Sequence, residues 1–156
     1  MARYKTAMAD AEYRALAAFR HSIRKFLRFS EEAARAAGIE PQQYQLLLAV
    51  RGLPPEVEPT VGELAQRLQI QHHSAVELLD RSQRRGLVRR ARSRGDRRQV
   101  LVELLPKGEK LLRELAMHHR DALTGAAPAL VQALELLLKA APQGVSATQA
   151  KKRAGG

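Results

Sequence analysis

Nine arginines and a single acid, Asp96, occupy the 18 residues from Arg81 to Arg98. This run carries a net charge of +8, against +11 for the whole chain. Lys151, Lys152 and Arg153 add three more cations in the last fourteen residues, and the remainder is balanced at 15 basic and 15 acidic side chains. Charge concentrated in this way is the chemistry of gripping a polyanion rather than of staying soluble. The run contains no aromatic residue; all three Phe and three Tyr lie within the first 44 residues. Single-stranded nucleic acid is held by stacking its bases on aromatic platforms. Guanidinium groups without such platforms suit a duplex, where phosphates and groove edges are touched.

Other chemistry is poorly supplied. There is no cysteine, which removes disulfides, thiolate catalysis and thiolate zinc sites. The pairs His72-His73 and His118-His119 invite a metal reading, but helical neighbours point about 100° apart, so neither pair chelates alone. No phosphate loop, nucleophile elbow or paired carboxylates occur. The expectation is a binding protein, with no enzyme activity, metal or cofactor. Arg20, His21, Arg24, Lys25 and Arg28 place a basic face on the first helix. It reads as a wall for a carboxylate ligand, as a phosphate contact, or as a solvated face.

The elements that must position these residues follow from periodicity. Residues 10–37 read as a helix, with Tyr13, Leu16, Phe19, Ile23, Phe26 and Ala33 at three- and four-residue steps and Gly38 as a stop. Such a length rarely finds enough core of its own. Pro41 opens a second helix, and Gly52, Pro54, Pro55 and Pro59 mark a loop. Thr60 to Glu63 form a capping box before a short helix whose Val61, Leu64, Ala65 and Leu68 face inward. After a turn at 69–71, His72 to Arg85 make a fourth helix, with Val76, Leu79 and Gln83 toward the core. Gly86 suits a left-handed helix end, followed by Leu87 as its apolar contact. Leu87–Arg90 and Val100–Leu104 read as strands of a hairpin turned at Ser93 to Asp96. A fifth helix starts at Pro106 and breaks at Gly125 and Pro128; a last one runs from about Ala129 to Ala141. Residues 143–156 read as a disordered basic tail.

A short capped helix, a turn, a second helix and a basic hairpin make a winged helix-turn-helix. The second helix of such a pair fits the major groove of B-DNA. The hairpin reaches the adjacent minor groove, whose narrow electronegative channel attracts arginine. The chain also resembles a known family. Thr60-Val-Gly-Glu-Leu-Ala-Gln-Arg-Leu68, Ser74-Ala-Val-Glu-Leu-Leu-Asp-Arg81, Arg85-Gly-Leu-Val88, Gly95-Asp-Arg-Arg98 and Pro106-Lys-Gly108 stand in order as in the MarR family of bacterial transcription regulators. The resemblance covers about Ile39 to Leu115. It departs at Leu105, where the family usually has a Thr that caps the fifth helix.

Pattern and resemblance together imply a mainly helical single domain over 1–142. Residues about 39–104 form the winged helix-turn-helix, and helices at about 10–37 and 106–141 form a dimerisation region. Gln71, His72, His73, Ser74, Glu77 and Arg81 are expected on the DNA-reading helix. Arg92, Arg94, Asp96, Arg97 and Arg98 are expected at the wing, with Asp96 orienting a wing guanidinium. Asp80 is expected to pair with a wing arginine and set the helix-to-hairpin angle. Tyr13, Leu16, Ile23, Leu130, Leu134 and Leu137 are the expected dimer contacts. The implied function is a ligand-responsive repressor that binds a palindromic operator as a homodimer, released by a small aromatic or phenolic ligand. An architectural DNA-binding protein of low sequence preference is the alternative. No run approaches the ~18 uninterrupted apolar residues of a membrane span. The N-terminus lacks the apolar core of a secretory signal, so a cytoplasmic protein without a membrane partner is expected.

Overall fold

The computed structural model describes residues 8–93, 95–96 and 98–140. The tail at 143–156, Arg94 and Arg97 lie outside the described residues. The order is α1 (Asp10–Ala36), α2 (Pro41–Arg51), α3 (Val61–Leu68), α4 (His72–Arg84), β1 (Val88–Arg92), β2 (Val100–Leu104) and α5 (Pro106–Ala140). The chain divides into two compact units, one of residues 26–123 and one built from residues up to 25 and from 124 onward.

The unit of residues 26–123 is a winged helix-turn-helix around one apolar core. Leu46, Leu47, Leu64, Leu78, Leu79, Leu87, Val88 and Val102 are almost completely buried in it. β1 and β2 are antiparallel, with Val88 opposite Leu104 and Arg92 opposite Val100. Thr60 forms a bridge to Leu101, and the Val102 N–H donates to the Pro59 carbonyl at 2.9 Å. The loop before α3 is therefore tied to the edge of the two-stranded wing sheet by a single bridge, which periodicity did not reveal.

Local chemistry explains the helix ends. Gly38 and Gly86 take φ of +79° and +69°. Each is followed by a 6→1 bond, Ile39 N–H to Ala34 and Leu87 N–H to Ser82, the pattern of a glycine-terminated helix. The end of α3 is different. Gln69 occupies the left-handed region at φ 55°, a conformation costly for any residue with a Cβ, while its side-chain amide donates to the Gln66 carbonyl at 2.7 Å. Only half of the expected capping box forms. Thr60 Oγ1 accepts from Glu63 N–H at 3.2 Å. The Thr60 N–H donates to Glu58 O instead, and the Glu63 carboxylate turns to Arg67 at 2.8 Å.

Three expectations about the elements are corrected. The inward stripe of α4 is Ala75, Leu78, Leu79 and Ser82; Gln83 is exposed and Val76 half-buried. Ser82 tolerates burial because its hydroxyl donates to Leu78 O at 2.8 Å. β1 begins at Val88, not Leu87, because Leu87 is already used: its N–H closes α4 and its carbonyl accepts from Leu105 N–H at 2.9 Å. Third, α5 is continuous through Gly125 and Pro128. A proline removes one helical hydrogen bond, but the Ala, Leu, Gln and Glu residues after it are strong helix formers that carry the helix on.

Gly108 has a packing reason that the sequence did not disclose. A Cβ there would stand inside the van der Waals envelope of the Leu87 carbonyl oxygen and carbon. The first turn of α5 can close on the α4–β1 junction only without a side chain. Gly108→Ala is expected to cost roughly 1–3 kcal/mol, the usual range for overpacking, read as a lowered midpoint in denaturant at unchanged slope.

A buried aromatic group completes this unit. His119 stacks on Tyr44 at 4.4 Å between ring centroids, with Phe26 and Phe29 edge-on to it. The Leu115 carbonyl can only accept, so Nδ1 carries the proton toward it, and Nε2 takes the Ser30 hydroxyl at 2.7 Å. Burial pushes the Tyr44 phenol pKa up. His119 is thus a satisfied core histidine, while His118 is exposed.

The second unit holds the first part of α1 and the last part of α5. Among its described residues only Ala15 and Ala133 are buried apolar side chains. Tyr13, Leu16, Ile23, Val131, Leu134, Leu136 and Leu138 remain exposed, Leu138 at 73%. α5 is also long and apolar enough, by length and composition alone, to cross a bilayer, with one 18-residue window of mean hydropathy 1.3.

Candidate nucleic-acid interface

The geometry sorts the described arginines of the 81–98 run into two groups. Five are tied to the protein itself. Arg81 Nε donates to Glu40 at 3.2 Å, which fixes α4 against the start of α2. Arg84 Nε donates to the Asp80 carbonyl at 3.3 Å. Arg85 donates to the Gly38 carbonyl, and its own carbonyl accepts from Lys107 Nζ at 2.9 Å, so these two cations serve the carbonyl ends of α1 and α4. Arg89 pairs at 2.7 Å with Glu103, its opposite number across the hairpin. Arg90 donates to both Asp80 and Gln83 at 2.7 Å.

Arg92 and Arg98 form the second group. Both are exposed, and neither guanidinium has a side-chain or carbonyl partner among the described residues. They stand at the outer end of β1 and in the turn that follows. The run's unspent charge is therefore concentrated at the wing.

The wing itself is held firmly. Ser93, just past the outer end of β1, is buried; its Oγ accepts from Gly95 and Asp96 N–H at 3.2 and 3.4 Å and its hydroxyl donates to Glu58 at 3.3 Å. Asp96 does not orient the Arg98 guanidinium; its carboxylate accepts the Arg98 backbone N–H at 2.9 Å and so shapes the turn. Asp80 joins α4 to the hairpin through Arg90. That pair is half exposed, so its loss is expected to change stability by no more than about 1 kcal/mol. Its effect is on aim: Asp80→Ala should lower duplex affinity severalfold at nearly unchanged melting temperature. Equal affinity of variant and parent in an anisotropy titration would show that the angle is fixed elsewhere.

α4 presents Gln71, His72, His73 and Glu77 to solvent, with Ser74 and Arg81 half-buried. Gln71 is the N-cap residue and makes no side-chain cap bond. An uncapped helix start directs its first N–H groups outward, an arrangement suited to a phosphate oxygen. For Arg81 and Arg85 the signal that would mark them as tied is absent from the local sequence. Glu40 and Gly38 lie 41 and 47 residues from Arg81 and Arg85.

Residues 37–99 match the model of the MarR family. An uncharacterised HTH-type transcriptional regulator of Bacillus subtilis, YsmB, is 34% identical over 64 residues, 41% of this chain and 44% of that protein. The aligned part is thus less than half the length of that relative. AbsC, a MarR family transcriptional regulator from Streptomyces coelicolor, superposes with a TM-score of 0.65 at 20% identity, covering 97% of this chain and 94% of the other. A cysteine-to-serine mutant of MarR from E. coli, complexed with operator DNA, gives a TM-score of 0.60 at 24% identity over 79% and 90% of the two chains. Likeness at these identities carries the fold.

Proposed function

We propose that this chain, whose residues 37–99 match the MarR family model, is a transcription regulator of that family that binds a palindromic operator in double-stranded DNA as a homodimer and acts as a ligand-responsive repressor. The observation that carries the DNA reading is the placing of the free arginines. Arg92 and Arg98 stand on a hairpin braced to α4 through Asp80 and Arg90. In this reading α4 enters the major groove, with the Arg92 and Arg98 end of the wing in the neighbouring minor groove. The exposed apolar side chains of α1 and α5 meet the same residues of a second copy. Two-fold symmetry then sets the half-sites about one helical turn apart. The protein works in the cytoplasm and by binding alone.

A cleft of about 310 Å³ in the winged-helix unit supports the ligand reading. Leu48, Leu104, Leu112 and Ala116 supply apolar walls, and Arg51, Arg113 and Glu109 supply charge. This lining suits a small aromatic ring that bears a carboxylate or phenolate. Such a ligand releases DNA only if it prefers one spacing of the reading heads over another.

The test is a footprint on the DNA upstream of the protein's own reading frame, with random duplex and single strand as competitors. Protection of a two-fold site that random duplex does not displace is expected. Equal competition by random duplex would favour the architectural alternative.

A further inference from the structure

α4 carries two acids on its exposed side, Glu77 and Asp80, and the structure treats them differently. Asp80 is neutralised by Arg90 at 2.7 Å. The residue placed to neutralise Glu77 is Arg81, one turn on, in the favoured Glu-to-Arg direction. Arg81 instead donates to Glu40 at 3.2 Å. Glu77 is left exposed, with no ion pair or side-chain hydrogen bond among the described residues. It lies about 200° around the helix from buried Ala75, one turn beyond His73, on the surface that faces away from the core.

A lone carboxylate on a surface built to meet phosphates repels the duplex everywhere except where a hydrogen-bond donor is offered. A carboxylate only accepts. In the major groove the base donors are the cytosine N4 and adenine N6 amines. Adenine sets its N7 acceptor beside that amine, which repels a second carboxylate oxygen, whereas cytosine sets a C–H there. We propose that Glu77 is a specificity-determining residue that selects a cytosine at one position of each half-site through its N4 amine, and that it lowers affinity for unrelated duplex. The proposal rests on the DNA reading above. It adds a device that a protein of low sequence preference would not carry.

The experiment is selection of duplexes from a randomised pool by the full-length protein, by Glu77→Ala and by Glu77→Gln, followed by titration on the selected and random duplexes. The parent protein is expected to fix C·G at one position per half-site, with replacement of that pair costing about tenfold or more in affinity. Glu77→Ala should keep every other selected position, become indifferent at that one, and bind random duplex more tightly than the parent. Glu77→Gln should move the preference there toward adenine, which a glutamine can meet with two bonds. A purely structural residue would not change the selected letter. Identical selected sequences for parent and Glu77→Ala, or a loss spread evenly over all duplexes, would overturn the assignment while leaving the DNA reading intact. A parent protein that selects no duplex would overturn both.

Discussion

Leu16→Glu combined with Leu134→Glu is expected to give a folded monomer whose operator affinity has fallen by a factor on the order of 10²–10⁴, the gain usually conferred by tethering two binding modules. In the unit formed by the ends of α1 and α5, Leu16 and Leu134 are 38% and 41% exposed, and Tyr13 is 59% exposed. Two small alanines, Ala15 and Ala133, are the buried apolar residues there among those described. A pair of long helices covering so little of its own apolar surface draws little stability from packing, and in the proposed dimer a second copy would supply what is missing. Obligate interfaces of this kind are large and apolar, and a carboxylate buried without a partner in one is strongly destabilising. Sedimentation velocity reads the oligomeric state, and circular dichroism confirms retained helix. A variant that stays dimeric, or a monomer that binds operator as tightly as the parent, would contradict the shared-core account.

Replacing Arg92 and Arg98 with alanine is expected to weaken duplex binding at least about thirtyfold while dimer and melting temperature persist. Each DNA-contacting arginine is worth about 1 kcal/mol or more. These two are the arginines of the run with no internal partner among the described residues, so no internal contact is lost with them. The slope of log affinity against log salt should flatten by about 0.9 for each phosphate contact removed. The informative control is Arg89→Ala, because Arg89 is already paired with Glu103. An equal loss from Arg89→Ala would mean that total charge matters and that the wing has no special place. Unchanged binding by the double variant would remove the wing from the interface.

Much of this architecture was legible along the chain. The ends of α1 and α4 at Gly38 and Gly86, the proline start of α2, the Thr60 cap and the hairpin after α4 are readable from neighbours within a few residues. Misreadings arose where local signals compete. Pro128 is a helix breaker set among strong helix formers, and the formers prevail. Gln83 sits one position from the true inward residue, Ser82, whose hydroxyl finds a backbone acceptor inside its own helix. Gln69 turns the chain between α3 and α4 in a left-handed conformation with no glycine to announce it.

Residue types and local spacing were enough to give the kind of object: a capped helix pair followed by an arginine-rich hairpin, flanked by helical segments with more apolar surface than one small domain can cover. Those properties come from residue type and from spacings of one to four, which helical and strand periodicity convert directly into faces. Which charges are available is settled by long-range packing. Arg81 is drawn to Glu40 across 41 residues and Arg85 to the Gly38 carbonyl across 47, and those partners exist only once the core has closed. The same closure leaves Arg92, Arg98 and Glu77 without protein partners among the described residues. Spacing cannot encode that difference, because whether a charge is free depends on what lies beside it in three dimensions.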